Sequence, residues 1–212
     1  MLIGVPKEIK NQENRVGMVP GSVRELIHHG HQIMVEKNAG AGIGFSDDKY
    51  RDAGATVVGN AEEIYQKADM IVKVKEPQHH ECKMLREGQV LFTYLHLAPD
   101  PEQTKLLLES GCIAIAYETV TDDARGLPLL SPMSEVAGRM SIQAGAHCLE
   151  KAQGGSGMLL GGVPGVAPAN VVVIGGGVVG TNAIRMAMGM EARVTVLDRS
   201  LRRLKELDFQ FG

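Results

Sequence analysis

The sequence predicts an α/β protein built on parallel sheets, and three observations predict it. Short β-branched runs alternate with amphipathic helical stretches from the first residue to about Tyr117. A further apolar run, Asn170 to Ile174, leads into a glycine-rich turn and then a helical pattern. Glycine supplies 26 of the 212 residues, where about 7% is usual, so tight turns or close backbone approaches are expected.

Taken in order, Met1–Val5, Gln32–Glu36, Met70–Val74, Val90–Tyr94 and Ile113–Tyr117 read as strands of a parallel sheet, with helical patterns between them. The first helix begins near Pro20, carries Val23, Leu26 and Ile27 at helical spacing, and ends before Gly30, a residue suited to a left-handed cap. The alternation pauses in DDARGLPLLSP, Asp122 to Pro132, which places a domain boundary near residue 128 and divides the chain into 1–128 and 129–212. Ser131 and Pro132 then read as an N-cap and first helical residue, with Met133, Val136, Met140 and Ala144 as the apolar stripe of a helix reaching about Glu150. Gly154 to Pro168 holds too much glycine and proline for a regular element and reads as a loop.

Composition excludes several classes of function. With 22 Lys+Arg against 25 Asp+Glu the formal net charge is -3, so bulk charge recruits neither nucleic acid nor an anionic membrane. No apolar run approaches the roughly 20 residues that span a bilayer, and MLIGVPKEIK lacks the apolar stretch of a secretory leader. Cys82, Cys112 and Cys148 lie far apart with no C-x-x-C pair, which argues against a disulfide framework or zinc knuckle and for a reduced, cytoplasmic setting. His28, His29 and His31, and His79 and His80 with Cys82, read as solvated surface, so no metal site is expected.

The clearest chemical signal is the order strand, Gly175-Gly176-Gly177-Val178-Val179-Gly180, helix. Gly175 permits a tight turn, Gly177 lets the backbone approach a pyrophosphate, and Gly180 lets helix and strand pack closely. Amides at the helix start face the phosphates. This is the opening of a Rossmann dinucleotide-binding domain. The next strand, Arg193 to Leu197, ends at Asp198, 18 residues after Gly180, where a carboxylate accepts hydrogen bonds from the adenosine ribose and repels a 2′-phosphate. Arg199, Arg202 and Arg203 lie just beyond and could instead bind that phosphate or stack on adenine. NAD is favoured over NADP.

In the N-terminal part the remaining chemistry lies in GVPKEIKNQENRV, ending at Arg15 and Val16, in IVKVKEP, with Lys73 and Lys75, and in LFTYLHLAP, with His96. Each segment follows or ends a predicted strand, and ligands of parallel sheets collect at the carboxyl ends of strands. Taken singly, Arg15 could be a surface ion-pair residue, Lys75 a strand-edge charge and His96 a hydrogen-bonded core histidine.

These segments, together with SPMSEVAGRM, LLGGVPGV and VVVIGGGVVGTNA, resemble the alanine dehydrogenase and pyridine nucleotide transhydrogenase family along essentially the whole chain. TYLHLAP with His96 resembles the alanine dehydrogenase branch, whereas the transhydrogenase branch keeps no histidine there. The resemblance implies reversible NAD-dependent oxidative deamination of L-alanine to pyruvate and ammonium, by a homo-oligomer that is commonly a hexamer. It implies that residues 1–128 form the substrate domain and 129–212 the first part of the NAD-binding domain. Arg15 and Lys75 would bind the substrate carboxylate and carbonyl oxygen, and His96 would exchange protons during water attack on the imine. Ser134, Gly175, Gly177, Val178, Val179 and Gly180 would contact the dinucleotide, with Asp198 and Arg203 at its adenosine end.

The chain departs from that pattern in two places. It stops at Gly212, so a downstream catalytic aspartate and most of the nicotinamide pocket are missing, and a truncated form is expected. The alternatives are an NAD(H)-binding subunit of the transhydrogenase type and a non-catalytic fragment. Glu191 stands where the family usually has glycine, at the turn from helix to strand, which costs about 1 kcal/mol if its φ is positive.

Overall fold

The computed structural model describes residues 1–212 as two compact units, Met1–Val120 and Thr121–Gly212. The first unit contains β1 (Leu2–Val5), α1 (Pro20–His28), β2 (Gln32–Glu36), α2 (Asp47–Asp52), β3 (Thr56–Val58), α3 (Ala61–Lys67), β4 (Met70–Val72), α4 (His79–Cys82), β5 (Val90–Thr93), α5 (Pro101–Ser110) and β6 (Ile113–Ala116). Its strands form one six-stranded sheet in the order β3-β2-β1-β4-β5-β6, parallel throughout. The order reverses between β1 and β4, the place where a parallel sheet opens a crevice at its carboxyl edge.

Alternation along the strands divides the core between the two faces of the sheet. Ile3, Val5, Ile33 and Val35 pack with Val23 and Tyr50 on one side. Met34, Ile71 and Leu91 pack with Ile64, Tyr65 and Leu107 on the other. Val5, Val35, Ile71 and Leu91 are wholly inaccessible, which is why these runs are apolar without the polar alternation of a one-sided sheet. The three-residue edge strand β3 is too short to show a period in the sequence. β4 stops at Val72, two residues before the expected end, and the Val74 amide is taken by the Glu8 carboxylate, 2.7 Å away.

The second unit contains α6 (Ser131–Cys148), β7 (Asn170–Ile174), α7 (Val178–Gly189), β8 (Arg193–Leu197) and α8 (Leu201–Phe211). β7 and β8 pair in parallel with Asn170 opposite Arg193 and Ile174 opposite Leu197. Ile142, Val173, Ile184, Ala187 and Leu207 form its core.

Helix α6 differs from expectation twice. Ser131 lies inside the helix and Leu130 holds the cap position, with no side-chain cap bond. The preceding turn supplies what a cap would, because the Leu130 and Ser131 amides both donate to the Leu127 carbonyl, at 3.0 and 2.9 Å. The buried face carries Gly138 and Ile142, whereas Val136 and Met140 of the expected stripe are 48% and 56% exposed. A Cβ at Gly138 would stand 2.2 Å from the Val179 carbonyl oxygen. Close approach of α6 to α7 through that glycine, and not hydrophobicity alone, selects the face.

Candidate functional site

In the first unit the charged residues gather just past the ends of β1, β4, β5 and β6. Arg15 sits in the segment after β1, and that segment is held against β4 by Gly17, where a Cβ would lie 2.5 Å from the Val72 carbonyl oxygen. Lys75 follows β4 and His96 follows β5. The three candidates are thus placed around the β1/β4 reversal and its neighbour.

Their immediate partners are carboxylates that the sequence did not single out. Glu13 grips the Arg15 guanidinium through Nε at 2.8 Å and Nη2 at 2.6 Å, and also accepts the Arg15 backbone amide at 2.9 Å. The hydrogen bond from Arg15 outweighs burial and, with the Arg15 and Lys75 charges, holds the Glu13 carboxyl below its ordinary value. The same bond raises the guanidinium, so Arg15 is a fixed cation with a set orientation.

His96 Nδ1 stands 3.2 Å from Glu76 Oε2, and Lys10 bonds the other Glu76 oxygen. Burial pushes the Glu76 carboxyl up, but the Lys10 bond, its own backbone amide and the charges of Lys10 and His96 together bring it below the usual range. An ionised Glu76 accepts a hydrogen bond from Nδ1–H, which in the neutral imidazole leaves the lone pair on Nε2. The His96 backbone is left-handed, at φ 48°, and its amide donates to Glu118 Oε1 at 2.8 Å. Tyr94 lies 6.0 Å from the His96 ring, centre to centre, and packs edge-on to Tyr117 at 5.0 Å.

Beneath this edge lies a buried ionic cluster. Lys73 is wholly inaccessible, with Nζ 2.8 Å from Glu81 Oε1 and 3.5 Å from Glu8 Oε2. The Tyr65 hydroxyl donates to Glu81 Oε1 at 3.1 Å. Glu8 Oε1 accepts the Val74 amide at 2.7 Å and the Lys75 amide at 3.4 Å. Burial raises the Glu8 carboxyl more than the Lys73 charge and the two amides lower it. Of the two lysines in IVKVKEP, Lys73 is therefore structural and Lys75 is the half-buried one whose backbone this cluster holds. No local signal distinguishes Glu8, Glu76 and Glu118 in the sequence beyond the rule that charges just past parallel strands collect at the ligand edge.

The second unit presents backbone in place of side chains. Gly175 has φ 96°, a conformation that disfavours any side chain. A Cβ at Gly180 would stand 1.9 Å from the Gly175 carbonyl oxygen, while one at Gly177 would meet nothing within 4 Å. Gly180 is thus a packing glycine, and Gly177 faces open space. Gly177 caps α7 without a side-chain bond to the first amides of the helix, which Val178 and Val179 supply. Ser134, Gly175, Gly177, Val178, Val179 and Gly180 line part of one cleft of about 820 Å³, whose other walls are largely apolar and include Ile142, Leu149, Leu160 and Val172.

Asp198 and Arg203 brace the turn and do not line that cleft. Asp198 Oδ2 accepts the Gly176 amide at 2.7 Å and Oδ1 the Ser200 amide at 2.8 Å. Those two bonds, Ser200 first, hold its carboxyl below the ordinary value. Arg203 donates from Nε to the Gly176 carbonyl at 2.6 Å and from Nη2 to Thr181 Oγ1 at 2.6 Å, and pairs with Glu206. An uncapped helix start and a glycine whose Cβ direction is open fit a dinucleotide pyrophosphate.

Two family descriptions match the chain: alanine dehydrogenase/PNT, N-terminal domain, over residues 4–137, and alanine dehydrogenase/PNT, C-terminal domain, over residues 141–212. The alanine dehydrogenase of Methanococcus maripaludis is 58% identical over 212 residues, and that of Bacillus subtilis 55%. All of this chain is covered in both, but only 57% and 56% of those proteins. A solved L-alanine dehydrogenase superposes with a TM-score of 0.92 at 54% identity, over the whole of this chain and 58% of its own. A transhydrogenase from Sinorhizobium meliloti superposes with a TM-score of 0.82 at 27% identity, over 99% of this chain and 62% of its own.

Proposed function

The chain belongs to the alanine dehydrogenase/PNT family, and we propose that it is the N-terminal portion of an NAD-dependent alanine dehydrogenase. The reaction is L-alanine, water and NAD+ to pyruvate, ammonium, NADH and a proton, and its reverse. The observation that carries this reading is the placement of His96, with Nδ1 on Glu76, at the same carboxyl edge as Arg15 and Lys75. The high identity to alanine dehydrogenases, against 27% to the transhydrogenase, supports the same branch.

Arg15, oriented by Glu13, binds the substrate carboxylate as a planar cation. Lys75 sits beside the carbonyl oxygen and offsets negative charge that develops there as the carbinolamine forms and collapses. His96 Nε2 takes a proton from water as it attacks the imine carbon and returns one to the departing amine. Glu76 keeps the imidazole in the tautomer this requires and offsets the charge of the imidazolium.

In the second unit the amides at the start of α7 would hold the pyrophosphate, Ser134 would meet the dinucleotide from α6, and Asp198 would accept from the adenosine ribose, as NAD requires. When bound, that group supplies the hydride acceptor. Arg203 would border the adenosine end, its guanidinium already committed to Gly176, Thr181 and Glu206. We also infer a homo-oligomer, cytoplasmic and without nucleic-acid or membrane partners, and place the boundary between substrate and nucleotide functions near residue 128. No helix is long and apolar enough to cross a membrane.

The test is NADH oxidation with pyruvate and ammonium by the purified chain and by the chain extended past Gly212, the latter alongside His96→Ala. Oxidation that needs both substrates and is lost in the variant is expected. Oxidation that does not need ammonium, or that survives His96→Ala unchanged, overturns the reading.

A further inference from the structure

Leu95 and His96 present successive backbone amides to a single acceptor. Glu118 Oε1 accepts the His96 amide at 2.8 Å and the Leu95 amide at 3.1 Å, and Oε2 lies 3.3 Å from the Leu95 amide. Glu118 comes from the short helical turn Tyr117–Thr119 that follows β6, the strand beside the one that delivers His96. Successive amides that converge in this way form a concavity that binds anions. Here a carboxylate of the same chain fills it.

The backbone at this turn needs such a clamp. His96 has φ 48°, in the left-handed region, which disfavours a residue with a Cβ. The other side of the turn is fixed by the buried Gln103, whose amide donates to the Leu95 carbonyl at 2.9 Å. Leu95 itself is 2% exposed and belongs to the core, so it anchors the turn while His96 projects from it.

We propose that Glu118 is a positioning residue for His96: by binding the Leu95 and His96 amides it sets the left-handed turn that brings Nδ1 to Glu76 and aims Nε2 at the substrate. The inference rests on the role assigned to His96 above, but its geometry does not. Glu76 fixes the rotation of the ring, whereas Glu118 fixes the Cα from which the ring departs. Neither bond replaces the other, because the ring reaches Glu76 only from this turn.

The test compares Glu118→Ala, Glu118→Gln and Glu118→Asp in the full 212-residue chain. In Glu118→Ala the His96 amide is expected to exchange its hydrogen about tenfold faster, the equivalent of one lost hydrogen bond, while Val5 of β1 keeps its protection. The His96 ring nitrogens are expected to shift as Nδ1 leaves Glu76. In turnover with pyruvate and ammonium by the chain extended past Gly212, kcat is expected to fall about a hundredfold, the effect of misplacing a reacting group by about 1 Å, with KM for pyruvate little changed. Glu118→Gln keeps one acceptor oxygen at full reach and is expected to recover most of the loss, whereas Glu118→Asp, one methylene shorter, is not.

Wild-type exchange and ring signals in Glu118→Ala would overturn the proposal, as would equal recovery by the glutamine and aspartate variants. If Glu118→Ala does not fold, Glu118→Gln against Glu118→Asp decides by the same ring and exchange readouts. If the wild-type chain extended past Gly212 does not turn over pyruvate, the functional reading fails, and these two readouts still decide the clamp.

Discussion

Both units place their candidate functional groups at the carboxyl edge of a parallel sheet, but they fill that edge with different chemistry. The first uses polar side chains: Arg15 and His96 pair with Glu13 and Glu76, and Lys75 is held through its backbone amide by Glu8. The second uses backbone amides around Gly175 to Gly180 and needs side chains only to brace the turn. A side-chain site depends on long-range partners such as Glu8 and Val74, 66 positions apart. A backbone site is written almost entirely within one short segment. The first is therefore costly to disturb from beneath, and the second from within.

The largest expected effect follows from the buried cluster. Lys73→Met leaves Glu8 and Glu81 facing each other with no cation between them, and breaking a buried pair in this way costs about 3–5 kcal/mol. Urea unfolding should show that loss, whereas Lys67→Met, which removes the exposed pair with Glu63, should change stability by less than about 0.5 kcal/mol. A small effect of Lys73→Met would mean that the ligand edge of the first unit does not rest on this cluster.

Next come the two glycines of the second unit, which separate packing from ligand approach. Gly180→Ala forces a methyl to 1.9 Å from the Gly175 carbonyl, and overpacking of this kind costs about 1–3 kcal/mol, with loss of NADH binding. Gly177→Ala puts its methyl into open space. It should leave the urea midpoint unchanged and still weaken NADH binding by about tenfold or more, as expected where backbone must approach a pyrophosphate. Equal NADH affinity in Gly177→Ala and wild type, measured by fluorescence, would place the phosphates elsewhere.

What the sequence made legible follows the same division. β7, β8 and the glycine turn were readable to the residue because strand, turn and helix are each local, and the two glycine roles have different steric signatures. The β1, β4 and β5 ends were readable as candidates, since charges interrupt apolar runs there. Glu8, Glu76 and Glu118 were not, because what distinguishes them from other exposed acids is a partner brought in by the sheet order. The apolar stripe on α6 was misread for a related reason: Gly138 carries no hydrophobic signal, yet it decides which face approaches α7.

Glu8 of the first unit and Asp198 of the second should also titrate with opposite sign. Burial raises Glu8 above its ordinary 4.5, so its contribution is fully present below about pH 4.5 and is lost as pH rises through the raised folded value. Amide bonds lower Asp198 from 3.8, so its contribution is present above about pH 3.8 and is lost as pH falls through the lowered folded value. Unfolding midpoints measured against pH should thus find that Glu8→Gln gains on wild type as pH rises from 4.5, and that Asp198→Asn gains on wild type only as pH falls below 3.8. Slopes of the same sign would remove the electrostatic distinction between these two carboxylates.

The smallest effect concerns the turn that joins α7 to β8. Glu191 has φ 62°, and the Glu191 and Ala192 amides donate back to Met188 and Ala187 at 2.9 and 3.0 Å. This is a helix ending in a left-handed residue, a place where glycine avoids a cost of roughly 1–2 kcal/mol for a Cβ. Glycine also loosens the unfolded chain, which returns about 0.4–1 kcal/mol of that gain. Glu191→Gly should therefore stabilise the second unit by only about 0.5 kcal/mol. Glu191→Asn, which tolerates the left-handed region without glycine's extra freedom, should do at least as well. Destabilisation by both in urea would show that the Glu191 side chain holds the turn and that the strain is compensated locally.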